Sequence, residues 1–148
     1  MKNLVIVFSS IVLIACGTKG NDVESVKNTA AHSEEVEEGL SLDGGKKWIV
    51  NSETHEGMTQ IKVILDNMDP LMVGDYNQVG EKCDEQTSYI ISNCSMKGEA
   101  HNQLHHVLHP ILDDIENLKK STSVSHGKVA ANSLEENISA YFAHFELQ

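Results

Sequence analysis

Sulfur and imidazole side chains are concentrated in one short stretch of the sequence, from Cys94 to His109. Residues four apart are neighbours on the surface of a helix, so His101, His105 and His109 would form a ladder along one side. At 100° per residue, His101 falls inside the apolar stripe of the helix and His105 lies on its flank. His109 lies further round and His106 points to solvent. The spacing therefore predicts that His101 and His105 face inward.

Four residues of this stretch are candidate metal ligands: Cys94, Met96, His101 and His105. Thiolate, thioether and imidazole together suit copper(I), whereas imidazoles alone suit zinc or copper(II). The sequence contains neither Cys-x-x-Cys nor His-Glu-x-x-His. The alternative is packing, in which Cys94 is a small apolar filler, Met96 caps the domain and His101 bonds to a loop carbonyl. The domain would then be a structural or protein-interaction module without a metal.

The segment from Cys94 to His105 reads Cys-x-Met-Lys-Gly-x-x-His-x-x-Leu-His. It is similar to a segment shared by small, uncharacterised exported helical proteins of bacteria. The resemblance implies kinship and brings no established activity with it. Because the sequence shows no nucleophile elbow, phosphate loop or suitably spaced acid pair, we expect that the protein is not an enzyme.

The elements that position these residues are four predicted helices. The first begins near Asn51 or Ser52 and stops at Asp69-Pro70, and the second opens at Asp75 with a capping-box pattern. The third runs from about Glu99 to Lys120, and the fourth runs from about Ser125 to Phe145. Short links between amphipathic segments favour an all-α, up-down-up-down four-helix bundle over residues 46–148.

In such a bundle, the start of the first helix, the end of the second, the start of the third and the end of the fourth meet at one pole. This topology gathers the residues Cys94, Met96, His101, His105, His55, Met58 and His144 there. A less favoured alternative is a haem site held by Met58 and His144, because the chain resembles cytochrome b562 in length and in the placement of these two residues. His144, however, lies off the apolar face of its helix.

The amino-terminal residues 1–15 have the features of a signal peptide. Lys2 precedes an apolar stretch from Leu4 to Ile14, which is too short for a transmembrane helix. It ends in Leu13-Ile14-Ala15-Cys16, which resembles the lipobox of bacterial lipoproteins. The resemblance implies cleavage before Cys16, acylation of Cys16, for example with palmitate, and a lipid anchor in the cell envelope with the domain facing the periplasm. The alternative is an ordinary signal peptide followed by a chance cysteine.

Residues 16–45 are polar and acidic, and we expect a flexible tether that ends in a turn at Asp43-Gly44-Gly45. Trp48, just beyond it, is expected to plug one end of the core. The chain has 22 acidic residues against 11 basic ones, none of which is arginine. Nucleic-acid binding relies on basic patches, so this composition argues against it.

Cys83 and Cys94 are predicted to lie on the same helix, three turns apart. Three turns separate their Cα atoms by about 16 Å, whereas a disulfide needs about 4.4–6.8 Å. We therefore expect two free thiols.

Overall fold

The computed structural model describes residues 39–148. The expected signal peptide 1–15, Cys16 and residues 17–38 of the expected tether lie outside the described residues. The described part contains two short strands and four helices, in the order β1 (Trp48–Val50), α1 (Ser52–Asp66), α2 (Val73–Asn93), α3 (Glu99–Lys119), α4 (Val124–His144) and β2 (Phe145–Leu147).

The helices form the predicted all-α four-helix bundle. α1 packs on α2, α2 on α3 and α3 on α4, and α4 contacts both α1 and α2. Short connections reverse the chain after each helix, so the buried apolar stripes meet in one core. The largest fully buried side chains include Tyr141, Phe145, Met58 and Ile111. Within residues 39–148, none of the helices combines the length and apolar character needed to cross a membrane.

Two helices begin earlier than predicted because their capping residues differ from those expected. α2 begins at Val73, and the Asp75 carboxylate accepts hydrogen bonds from the N–H groups of Leu71 (2.8 Å) and Met72 (2.7 Å). Asp75 therefore supports the first turn from within, where a carboxylate also suits the positive end of the helix dipole. α4 is capped by Ser123, whose hydroxyl accepts from the His126 N–H at 3.1 Å.

The carboxyl end of the chain forms a strand that was not predicted. α4 ends at His144, and Phe145 begins β2 rather than ending the fourth helix. β2 pairs in parallel with β1, with Trp48 opposite Phe145 and Val50 opposite Leu147. The pairing ties the start of α1 to the end of α4, so it secures the pole at which the candidate site lies.

The ordered domain begins several residues before the predicted boundary at residue 46. Leu40 packs against the core, and the Ser41 N–H donates to Gln103 Oε1 at 2.8 Å. The Trp48 indole donates to the Ser41 carbonyl at 2.7 Å, and Trp48 itself packs against the core as expected. The predicted turn is confirmed by the paired backbone hydrogen bonds between Asp43 and Lys46. Residues 40–45 are thus part of the domain and not of a tether.

Candidate functional site

The candidate site begins in the loop that joins α2 to α3. α2 ends at Asn93, so Cys94 is the first residue after the helix, with extended backbone, and is not on the helical face where it was predicted. The loop turns into α3 at Gly98, whose φ of 68° and ψ of −154° fall in a region that essentially only glycine occupies. The Gly98 carbonyl then accepts from the N–H groups of His101 and Asn102. This turn brings Cys94 back over the first turn of α3.

The structure brings the sulfur of one predicted ligand into direct contact with the imidazole of another. Cys94 Sγ lies 3.6 Å from His101 Nδ1. Both side chains are half-buried, as is Met96, and both Cys94 and Met96 pack against the core. Sulfur and nitrogen donors thus meet at the edge of the core, where solvent still reaches them.

The predicted histidine ladder is present and continues outward from His101. His101 Nε2 lies 3.0 Å from His105 Nε2, and His105 Nδ1 lies 3.3 Å from His109 Nε2. An unbroken series of contacts therefore runs from Cys94 to His109. Within residues 39–148, no three His, Cys, Asp or Glu side chains surround a single point at metal-binding distance. These four residue types do not include the thioether of Met96.

The orientation of two histidines was predicted wrongly. His105 is exposed rather than inward-facing, and His106 is half-buried rather than directed to solvent. The reason is that α3 also buries Gln103, Val107 and Asp114, which shift the centre of the buried stripe away from His105.

The surroundings of His105, the middle histidine of the ladder, lower its pKa. Partial removal of the His105 ring from water lowers its pKa below the usual histidine value, and the neighbouring imidazoles of His101, His109 and His106 lower it further. A lowered pKa means that His105 loses its proton at a lower pH than a free histidine. A neutral imidazole is the form that can bind a metal.

Three other residues predicted for this pole have partners of their own. His55 Nδ1 lies 3.3 Å from the Tyr141 hydroxyl, and its ring meets Phe142 edge-on. His144 Nδ1 lies 2.8 Å from the Ala140 carbonyl oxygen, one turn earlier in α4. Met58 is completely buried in the core. Met58 and His144, the pair considered for haem, are therefore used for core packing and for a bond within α4.

An open groove between α1 and α4 was not predicted. It has a volume of about 820 Å³, an apolar floor that includes Leu65, Ile138 and Phe142, and polar walls that include His55 and Glu135. The groove combines side chains of α1 and α4 that lie at least 69 positions apart in the sequence, so no local pattern could indicate it.

The two cysteines of the domain should differ sharply in reactivity. Cys83 is fully buried in α2, and burial raises the pKa of its thiol to about 12. Because the thiolate is the reactive form, Cys83 should resist a maleimide in the native protein, whereas Cys94 should be modified when no metal is bound. Peptide mapping by mass spectrometry checks this, with modification in denaturant as the control for both thiols. Labelling of Cys83 in the native state would contradict its burial, and a peptide linked through Cys83 and Cys94 would contradict the continuous α2.

Comparisons of this chain with protein-family models, with curated proteins and with solved structures found no match.

Proposed function

We propose that this protein is a lipid-anchored envelope protein whose helical domain binds a soft or borderline transition metal, copper or zinc, through Cys94 and His101. The observation that carries the proposal is the 3.6 Å separation between Cys94 Sγ and His101 Nδ1. Zinc bonds are about 2.3 Å to sulfur and about 2.0–2.1 Å to nitrogen, so at a near-tetrahedral angle the two donors lie about 3.5–3.6 Å apart. The pair could therefore hold a metal without movement of the backbone.

Met96 is the third proposed ligand. It lies two residues after Cys94 in the same loop and is half-buried against the core. Thiolate and thioether ligands both select copper(I), so involvement of the Met96 thioether would favour copper(I) over zinc. The acidic chain, with a formal net charge of −11, would also attract cations.

His105 was predicted as a fourth ligand, and its geometry suits a supporting role at this ion. It contacts Nε2 of His101, which is the ring nitrogen that does not face Cys94. A metal on Nδ1 leaves the proton on Nε2, where His105 can accept it in a hydrogen bond. Such outer contacts orient a ligating histidine and typically change metal affinity by about 10- to 100-fold.

The anchor is part of the same proposal. The lipobox-like Leu13-Ile14-Ala15-Cys16 supports acylation of Cys16 and attachment of the protein to an envelope membrane, with the domain facing the periplasm. One acyl chain anchors a protein only weakly, whereas the two or three carried by bacterial lipoproteins suffice.

The second candidate is a structural or protein-interaction module. It is favoured by the packing of Cys94 and Met96 against the core, which gives both residues a role without a metal. The two candidates differ in what a metal would do to stability, because only a true site stabilises the folded state on binding.

Titration of the mature protein with copper(I) and with zinc tests the proposal. One equivalent of copper(I) should bind, and at a concentration 100 times the dissociation constant the folded state should gain about 2.7 kcal/mol. The Cys94→Ser, His101→Ala double variant should lose this gain with copper(I), measured as the change in melting temperature. Ser95→Ala, an exposed change in the same loop, is the matched control. A melting temperature that neither metal changes would favour the interaction module.

A further inference from the structure

The outer end of the histidine ladder consists of His105 and His109, which form a close pair. His105 and His109 lie four residues apart on α3, both are exposed, and His105 Nδ1 is 3.3 Å from His109 Nε2. Two nitrogens that each bind one metal at about 2.0–2.1 Å and lie this far apart subtend about 105–110° at the ion. That angle is close to tetrahedral, and the remaining positions would be open to water.

The chemistry of this pair differs from that of the Cys94 pair. It offers two imidazoles and no sulfur, which suits zinc, copper(II) and nickel(II) rather than copper(I). Both side chains project from one continuous helix, so their spacing is held by the backbone of α3. A pair on a rigid element needs little rearrangement to bind.

We propose that His105 and His109 form a second metal site, for borderline divalent cations, and that this site and the Cys94–His101 site exclude each other in part, each weakening the binding of a metal at the other. The existence of the second site is independent of the proposed function. The mutual exclusion rests on the proposed function.

The exclusion follows from the contact that joins the two pairs. A neutral imidazole carries one proton, on one of its two nitrogens. A metal on His101 Nδ1 places the proton on His101 Nε2, and a metal on His105 Nδ1 places the proton on His105 Nε2. These two Nε2 atoms are 3.0 Å apart, so double occupancy would set two N–H groups against each other.

With either site alone occupied, the same contact is a hydrogen bond. A metal at Cys94–His101 makes His101 the donor and His105 the acceptor, and a metal at His105–His109 reverses these roles. Because the exposed His105 ring can turn away, we expect the coupling to be about fivefold in affinity, at the low end of the usual range.

Nickel(II) is the probe for the second site, and calorimetric titration of the mature full-length protein is the measurement. His109→Ala should weaken nickel(II) binding at least about tenfold. Loss of an outer contact to a ligating histidine lowers metal affinity by about 10- to 100-fold, and loss of a ligand should lower it at least as much. His106→Ala, on the same helix but outside the ladder, is the matched control and should bind as the parent does. Cys94→Ser should also bind as the parent does. No nickel(II) binding by the parent, or full binding by His109→Ala, would overturn the second site.

Competition tests the exclusion. One equivalent of copper(I) should weaken nickel(II) binding by about fivefold in the parent and leave it unchanged in His101→Ala, which lacks both the copper(I) ligand and the opposing N–H. Undiminished nickel(II) binding to the copper(I)-loaded parent would overturn the exclusion. If copper(I) fails to bind at all, the copper form of the proposed function and the exclusion both fail, while the nickel(II) result with His109→Ala still decides the second site.

Discussion

The Cys16→Ala variant should not be lipidated and should accumulate as unprocessed or mislocalised precursor. In the proposed anchor, the thiol of Cys16 would carry the diacylglycerol, and cleavage before Cys16 would depend on that lipid. Without acyl chains, the anchor loses the roughly 0.8 kcal/mol that each buried methylene contributes. The negative net charge of the chain gives no compensating attraction to an anionic membrane surface.

Fractionation of cells and intact-mass measurement check this prediction. Cys94→Ala makes the same chemical change within the folded domain, so it is the matched control and should remain cut and membrane-held. A Cys16→Ala protein that is cut at the normal position and stays in the membrane fraction would show that the lipoprotein interpretation is wrong.

Gly127→Ala should destabilise the bundle by about 1–3 kcal/mol, although alanine favours a helix by about 1 kcal/mol over glycine. Gly127 lies in the first turn of α4 against the ring of Tyr76 in α2. A β-carbon at this position would lie within 2.7 Å of Cβ and Cδ2 of Tyr76 and even closer to its Cγ. Because Tyr76 is only 5% exposed and its Cβ is fixed to the α2 backbone, the two helices would have to separate.

Gly74→Ala is the matched control, since a β-carbon there meets nothing within 4 Å. It should leave stability unchanged or raise it by up to about 1 kcal/mol. Thermal denaturation followed by circular dichroism should place the two variants several degrees apart, at about 4–8 °C per kcal/mol for a domain near this size. Equal melting temperatures would mean that α2 and α4 do not approach as closely as described. Both glycines lie away from the pole of Cys94, so metal binding should survive in both variants.

Much of the bundle was predictable because helical periodicity belongs to a single segment of chain. The spacing of Ile61 and Leu65 in α1, or of Ile111, Ile115 and Leu118 in α3, indicates a buried face without reference to any other part of the molecule. Short links then leave few ways to arrange four such helices, and the arrangement places Cys94 and His101 at one pole.

Features that depend on a partner distant in the sequence were not predictable in this way. Phe145 continues the apolar spacing of α4, and only the presence of Trp48 beside it shows that it belongs to a strand. Residues 40–45 look like a tether until Ser41 meets Gln103, 62 positions away.

The candidate site depends both on the local pattern of the sequence and on contacts between residues that are distant in it. The sequence by itself determined which donor atoms lie close together along the chain and that His101, His105 and His109 line one side of a helix. Only the tertiary structure decided how that helix is rotated, because Gln103 and Asp114 are buried through partners on other segments, Ser41 and Asn137. This rotation leaves His105 and His109 in solvent and keeps His101 at the edge of the core, where the turn at Gly98 sets Cys94 against it.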